Sequence, residues 1–234
     1  MARKTKAIRT PFASFSLEYE LFLQGVSKVA GIDEVGRGSL AGPVVVAIVL
    51  VRSKDKPIPG VHDSKRLTPL QREKLAAQIK RRFPTSVGIV DNAFIDKYGI
   101  RKAVYAATLQ AYWALPDKPD IALMDGDARA IVVPPFNAIL MSGGDRLSFS
   151  IAAASIVAKV ERDNLMKQLA AKYQAYNWHK NVGYGTKEHT QAILEYGLSP
   201  YHRKSYCKFI HARSKPDQDC TPLERGGRSK NAQK

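Results

Sequence analysis

The hydrophobic and polar positions of the chain alternate between two kinds of segment. Residues 44–51, VVVAIVLV, form a β-branched apolar run typical of a strand that is buried on both faces. The sequence Thr68-Pro69-Leu70-Gln71 has the pattern of a capping box with proline at the first helical position, which predicts the start of a helix. By these signals we expect strands at 29–34, 44–51, 86–90 and 120–124, and helices at 68–83, 99–115, 148–173 and 186–196.

This order of elements predicts an α/β fold, in which helices flank a mixed β-sheet and further helices form the C-terminal region. The chain has 234 residues and no Pro/Gly/Ser-rich break, so we expect one domain over residues 15–210. Residues 1–14 and 211–234 are basic and poor in large apolar side chains. They are therefore interpreted as a basic N-terminal tail and a basic, disordered C-terminal tail.

The charge balance indicates the kind of partner. Lysine and arginine number 37 against 21 aspartates and glutamates, a net charge of +16, which favours a polyanion such as nucleic acid. Only two cysteines occur, too few for a disulfide scaffold or a cysteine zinc site. No apolar run is long enough to span a bilayer, and no secretory signal pattern opens the chain, so we expect a cytoplasmic protein.

Four carboxylates stand where apolar or glycine-rich segments end. Asp33 and Glu34 close the first strand, Asp125 closes another, and Asp145 follows Ser142-Gly143-Gly144. Adjacent strand residues point to opposite faces, so Asp33 and Glu34 reach one centre only if the chain bends there, as Gly36 allows. Clustered carboxylates repel one another unless cations lie between them, and hard oxygen ligands suit Mg²⁺ or Mn²⁺. The competing interpretation is that each acid only caps a turn.

Two glycine-containing loops are further candidates. Gly36-Arg37-Gly38 begins a match to the dinucleotide-binding fingerprint, but a strand follows it where that motif needs a helix, which argues against a nicotinamide or flavin enzyme. The loop could instead hold a phosphate through Arg37, or it could be a plain hairpin corner. Tyr184, between two glycines and ahead of a helix, suits stacking on a sugar or base, although a buried gap-filling role is equally compatible with the pattern.

Neither the zinc-hydrolase motif nor the serine-nucleophile motif is present in the sequence. The five histidines have no zinc-ligand spacing, and no G-x-S-x-G elbow for a serine nucleophile is present.

Six motifs in order and at similar spacing resemble the ribonuclease HII family, over about residues 29–210. They are GIDEVGRGSLAGP at 31–43, DSKRL at 63–67, MDG at 124–126, GD at 144–145, SIAAASIVAKVERD at 150–163 and GYGTKEH at 183–189. This chain departs from many members by inserting Asn181-Val182 before the Gly-Tyr-Gly segment.

The resemblance implies a ribonuclease H-like fold and an endoribonuclease that cuts the RNA strand of RNA/DNA hybrids and incises 5′ to ribonucleotides embedded in duplex DNA. It implies two divalent ions, Mn²⁺ or Mg²⁺, and 5′-phosphate and 3′-hydroxyl products, in support of replication and repair. By likeness to the family motifs the metal-binding catalytic residues are Asp33, Glu34, Asp125 and Asp145, and the substrate-binding residues are Gly36, Arg37, Gly38, Lys65 and Tyr184. Gly36–Gly38 would contact the 2′-hydroxyl, and Tyr184 would stack at the RNA–DNA junction.

The expected partners are RNA/DNA hybrid and ribonucleotide-containing duplex DNA, bound by a monomer. The main rival is a non-catalytic nucleic-acid-binding protein whose acids are structural.

Overall fold

The computed structural model describes residues 13–62, 64–126 and 135–209. Its described residues form a mixed five-stranded sheet in the order β3-β2-β1-β4-β5. Strand β1 is antiparallel to β2 and parallel to β4; β2–β3 is antiparallel and β4–β5 parallel. The strands are β1 Lys28–Val35, β2 Val44–Arg52, β3 Thr85–Val90, β4 Ile121–Asp125 and β5 Ala138–Met141. The mixed sheet predicted from the sequence is therefore confirmed.

Helices cover both faces of this sheet. They are α1 Ser16–Leu23, α2 Pro69–Arg82, α3 Asn92–Tyr98, α4 Ile100–Ala114, α5 Phe149–Lys172, α6 Trp178–Asn181 and α7 Lys187–Tyr196. Successive residues of β1 enter different cores: Val29 packs with α2 and α5, and Ala30 packs with α4. Every residue of β2 except Arg52 is buried, as its continuous apolar run predicts.

The predicted helix starts are confirmed in atomic detail. The side chain of Thr68 accepts a hydrogen bond from Gln71 N (3.3 Å), and Gln71 Oε1 accepts one from Thr68 N (2.8 Å), which completes the capping box of α2. Thr186 caps α7 by accepting from His189 N at 3.2 Å. These bonds satisfy backbone donors that have no partner within the helix itself.

Helices α1, α3 and α6 were not predicted. In α1 the apolar residues do not follow a helical period; what fixes it is Glu18, which is fully buried and accepts from Ser148 Oγ (2.6 Å) and Ser150 N (2.8 Å) at the start of α5. Helix α3 has only seven residues, too few for a clear period. Ser14, assigned to the N-terminal tail, forms a bridge with Ser148; the rest of the predicted tails, 1–12 and 211–234, lies outside the described residues.

None of the helices in the described part of the chain is both long and apolar enough to cross a lipid bilayer.

The sheet and α5 meet at Gly31. A Cβ atom at this position would lie 2.0 Å from Ser150 C and 2.3 Å from Ile151 N. Both are backbone atoms, which cannot move without shifting the helix. Glycine at position 31 therefore sets the distance between β1, which carries Asp33 and Glu34, and the helix behind it.

We expect Gly31→Ala to destabilise the protein by about 3 kcal/mol or more, because overpacking against backbone has no cheap relief. Urea unfolding followed by circular dichroism measures this. Gly38→Ala is the matched control, since a Cβ there meets no atom within 4 Å. Equal stability of the two variants would contradict the close approach.

Candidate active site

The four predicted carboxylates line one cleft of about 460 Å³. Asp33 and Glu34 come from the end of β1, Asp125 from the end of β4, and Asp145 from the short 3₁₀ turn Gly144–Arg146. The other residues that line this cleft are Val35, Ser64, Lys65, Ser155, Lys159 and Tyr184. Residues separated by more than 100 positions in the sequence thus share one solvent-open space.

Parallel pairing of β1 and β4 explains why two of these acids are neighbours. Ile32 pairs with Met124 at the end of the ladder, and Asp33 and Asp125 follow immediately in their strands. Because the strands are parallel, both carboxyl ends meet at the same edge of the sheet. Asp125 Oδ1 also accepts a hydrogen bond from Gly144 N at 2.8 Å, which ties the Asp145 turn to the same edge.

The bend expected at Gly36 is present. Gly36 has φ +95°, a left-handed conformation that favours glycine, directly after the end of β1 at Val35. A Cβ at this position would also lie 2.2 Å from Arg162 Nε. Asp33 and Glu34 both line the cleft beside this bend. The bend is the condition under which two adjacent strand residues, whose side chains normally point to opposite faces, can reach one centre.

Burial and mutual repulsion raise the pKa of two of the acids. Asp33 is 8% exposed; desolvation raises its pKa well above 3.8, the nearby Glu34 and Asp125 raise it further, and a hydrogen bond from Ser155 opposes the shift. Desolvation also raises the pKa of Glu34, and Arg37 opposes this by pairing with it at 3.0 Å. The protein thus holds these negative charges where they are costly without a nearby cation.

The donor set fits a hard divalent cation. It consists of carboxylate oxygens, the ligands that Mg²⁺ and Mn²⁺ prefer. Desolvation first, and then the charges of Glu34 and Asp125, raise the pKa of Asp33, and a bound cation would offset both effects. Within residues 13–62, 64–126 and 135–209, however, no three His, Cys, Asp or Glu side chains already surround a common point as metal ligands do. The acids share the cleft but still bind protein groups, such as Arg37 for Glu34 and Gly144 N for Asp125.

Two of the predicted substrate-binding residues, Lys65 and Tyr184, line the same cleft, whereas Gly36, Arg37 and Gly38 are not among its lining residues. Lys65 lines it from the 3₁₀ helix Ser64–Arg66. Arg37 contacts Glu34, and the position of a Cβ on Gly38 is open for at least 4 Å. Tyr184 is half-buried and lines the cleft, with Arg162 Cζ 5.5 Å from its ring centre. The sequence left open an exposed, stacking Tyr184 and a buried, gap-filling one. The observed side chain is intermediate between the two.

Two buried arginines that sequence reasoning missed hold the glycine loop in place. Arg162 donates to Pro43 O (2.9 Å), Ala41 O (3.1 Å) and Val182 O (2.8 Å). Arg203 donates to Gly42 O (2.9 Å) and, through Nη1, to Arg37 O (2.9 Å). Both residues are 0% exposed. A lone arginine in a polar stretch of sequence gives no signal of burial, because the carbonyl oxygens that satisfy it come from distant loops.

Lys159 is a further cleft residue to which the sequence assigned no role. It lies on α5 and lines the cleft, its Nζ is 2.8 Å from Asp163 Oδ1, and it lies 6.0 Å from the ring centre of Tyr184. The only available signal was its place inside the motif at 150–163. A helical lysine four residues before an aspartate is otherwise typical of a solvated helix face.

Comparison with known proteins identifies the family. The family model described as Ribonuclease HII matches residues 30–209. The chain belongs to the ribonuclease HII family. A ribonuclease HII of Rickettsia bellii is 49% identical over 183 residues, which cover 78% of this chain and 91% of that protein.

Solved structures agree with this assignment. The ribonuclease H2 of Pyrococcus horikoshii OT3 superposes with a TM-score of 0.66 at 28% identity, covering 80% of this chain and 98% of that one. Bst-RNase HIII in complex with Mn²⁺ shares the fold, with a TM-score of 0.62 at 21% identity over 92% of this chain and 77% of that one. The expected ribonuclease H-like fold is confirmed, and the chain is a metal-dependent hydrolase of the ribonuclease H type 2 class.

We expect Asp33→Asn to raise the free energy of unfolding at pH 7.5 in EDTA. Folding raises the pKa of Asp33, so the wild-type protein loses stability as the pH rises above the unfolded value of about 4. Asparagine removes the charge, and the advantage of the variant should shrink as the pH falls toward 4. Urea unfolding at several pH values measures it.

Asp117→Asn is the matched control, and its expected effect on stability is the opposite of that of Asp33→Asn. Hydrogen bonds from Lys28 and Arg52 lower the pKa of Asp117, so its loss should slightly destabilise the protein at neutral pH. An Asp33→Asn protein that is less stable than wild type at pH 7.5 in EDTA would contradict the assignment of Asp33 as a strained, desolvated carboxylate.

Proposed function

We propose that this protein is an endonuclease that cuts the RNA strand of RNA/DNA hybrids and incises on the 5′ side of ribonucleotides embedded in duplex DNA. Support comes from family membership together with one observation: Asp33, Glu34, Asp125 and Asp145 line a single open cleft with lysines and a tyrosine at its rim. The net charge of +16 suits a nucleic-acid substrate.

Asp33, Glu34, Asp125 and Asp145 would hold two divalent ions, Mg²⁺ or Mn²⁺. Bound there, the ions would supply a water of lowered pKa as the nucleophile and stabilise the charge on the departing 3′-oxygen. The chain's own contribution is to keep the carboxylates desolvated and close, and no protein nucleophile is required. The expected products therefore carry a 5′-phosphate and a 3′-hydroxyl.

Gly36, Arg37 and Gly38 would recognise the ribose. The open space at Gly38 allows a sugar to approach the backbone, and Arg203 fixes the carbonyl of Arg37 at 2.9 Å. Hydrogen bonds to a 2′-hydroxyl let a protein distinguish RNA from DNA, and their loss with deoxyribose leaves polar groups unpaired.

Lys65 and Lys159 would contact backbone phosphates at the rim, while Tyr184 would stack where RNA meets DNA. The half-buried position of Tyr184 supports this, since its ring lies near the buried Arg162 while Tyr184 still lines the cleft. We further propose that the protein acts as a monomer in the cytoplasm. There it would take part in the removal of ribonucleotides during replication and repair.

A nicking assay tests the activity. The substrate is a duplex that carries one ribonucleotide. With Mn²⁺ or Mg²⁺ the wild-type protein should cut on the 5′ side of this ribonucleotide, and EDTA should abolish the cut. Asp33→Asn should lower the rate by roughly 100-fold or more, because bound ions supply several kcal/mol of stabilisation. Substrate binding should persist.

Asp117→Asn, which alters an acid near the opposite end of β1, should keep wild-type activity. Cutting in EDTA, or full activity of Asp33→Asn with metal present, would refute the proposed site.

Tyr184→Ala should reduce cleavage at a single embedded ribonucleotide by roughly 10- to 100-fold, the value of one lost base–aromatic stack. Cleavage of a continuous hybrid should fall less, because it has no junction at the tyrosine. Values of kcat/KM on the two substrates measure this, and Tyr19→Ala, at an exposed tyrosine of α1, is the control. An equal loss on both substrates would exclude a junction role.

A further inference from the structure

A buried pair of histidines lies directly behind the Tyr184 loop. His189 is 0% exposed and His202 is 1% exposed, and their Nε2 atoms are 3.1 Å apart. Trp178, also fully buried, donates from Nε1 to His189 Nε2 at 3.0 Å. The histidine pair is outside the carboxylate cleft and has no role in the function proposed so far.

The hydrogen bonds fix the proton on each ring. His189 Nδ1 lies 2.8 Å from Tyr184 O, which can only accept, so Nδ1 must carry the proton and Nε2 must be bare. His202 Nδ1 accepts from Ser199 N at 2.9 Å, so its proton is on Nε2 and points at His189. In this arrangement both histidines are neutral, and the single lone pair of His189 Nε2 is shared by the N–H groups of Trp178 and His202.

The environment supports neutral rings. Desolvation lowers the pKa of His189, and desolvation together with the neighbouring His189 lowers the pKa of His202 to about 4. A second proton on either ring would face another donor, Trp178 or Ser199, so the network holds one arrangement at neutral pH.

This network connects the Tyr184 loop to the segment that holds the ribose-reading loop. His202 immediately precedes Arg203, whose guanidinium donates to Gly42 O and Arg37 O, and Ser199 lies three residues before His202. At the other end, His189 holds the carbonyl of Tyr184, which also accepts a local bond from Thr186 N at 2.9 Å. The two loops proposed to read the substrate therefore share one buried support.

The Tyr184 loop needs such support because its backbone is strained. Val182 has φ +43°, a left-handed conformation that a residue with a Cβ rarely adopts. Bonds from outside the loop hold this turn: Arg162 donates to Val182 O at 2.8 Å, and Leu40 N donates to Gly183 O at 2.8 Å.

We infer that His189, held by His202 and Trp178, is a positioning residue that fixes Tyr184 for the RNA–DNA junction and so sets the preference for embedded ribonucleotides over continuous hybrid. This inference rests on the proposed function. His189 acts only through the carbonyl of Tyr184 and contacts no substrate.

Two amide substitutions separate the two edges of the ring. Asparagine places an N–H where Nδ1 stands and keeps the bond to Tyr184 O, whereas glutamine reaches the Nε2 position and loses that bond. The measured quantity is the ratio of kcat/KM on a single-ribonucleotide duplex to kcat/KM on a continuous hybrid. His189→Gln should lower this ratio on the order of tenfold, since a shift of about 1 Å can cost up to 100-fold. His189→Asn should keep it within about twofold of wild type.

Base stacking gives a second measurement that does not depend on cleavage. All three proteins carry Asp33→Asn, so that the duplex stays intact. Binding of the Asp33→Asn protein, or of its His189→Asn derivative, should quench the fluorescence of a 2-aminopurine placed beside the ribonucleotide. Binding of the His189→Gln derivative should quench this fluorescence less. If His189 had only a structural role, both substitutions would lower the stability of the protein. The ratio of the two kcat/KM values and the fluorescence quenching would then be the same in the two variants.

An unchanged ratio in His189→Gln, or equal losses in the two variants, would overturn the inference. Failure of the wild-type protein to cut the single-ribonucleotide duplex would instead refute the proposed function, so the two failures differ. If neither variant folds, nitrogen NMR of the wild-type histidines decides: Nδ1 of His189 must be protonated and its Nε2 bare, and the opposite tautomer would exclude the bond to Tyr184.

Discussion

Repulsion among desolvated carboxylates at one edge of the sheet is the constraint on which the rest of the structure depends. Parallel β1 and β4 end side by side and leave Asp33, Glu34 and Asp125 together, where burial and mutual charge raise the pKa of Asp33. Such an arrangement lowers stability and persists only when a well-packed scaffold supports it. The close contact between Gly31 and α5, and the fully buried β2, provide that scaffold.

A second set of buried polar residues organises the loops opposite the acids. Arg162 and Arg203 donate to carbonyls of residues 37–43, and His189 and His202 connect the Tyr184 loop to the same C-terminal segment. Each of these groups is buried, so each must find a partner, and the partners are loop carbonyls and other side chains. The carboxylate cleft and the loops at residues 36–43 and 182–186 thus follow from one requirement, that buried charge and polarity be satisfied.

Much of this arrangement could be predicted from sequence, where the signal is local. The β-branched run of β2, the capping box at Thr68 and the bend after Glu34 depend on neighbouring residues, and all are observed. The acids were predictable candidates because they end strands. Helix α1 was missed because what fixes it is the contact between its own Glu18 and the distant start of α5. Likewise, Arg203 and the histidine pair have no local signature, since burial and partners arise only when the chain folds.

The central claim is that the four acids of the cleft act together as a cation site. The most direct measurement is anomalous scattering at the manganese edge from crystals of the wild-type protein grown with Mn²⁺ and a product duplex that is already nicked on the 5′ side of its ribonucleotide. The account predicts manganese peaks bounded by oxygens of Asp33, Glu34, Asp125 and Asp145. An empty cleft, with manganese absent or bound only elsewhere while the duplex occupies the site, would contradict it.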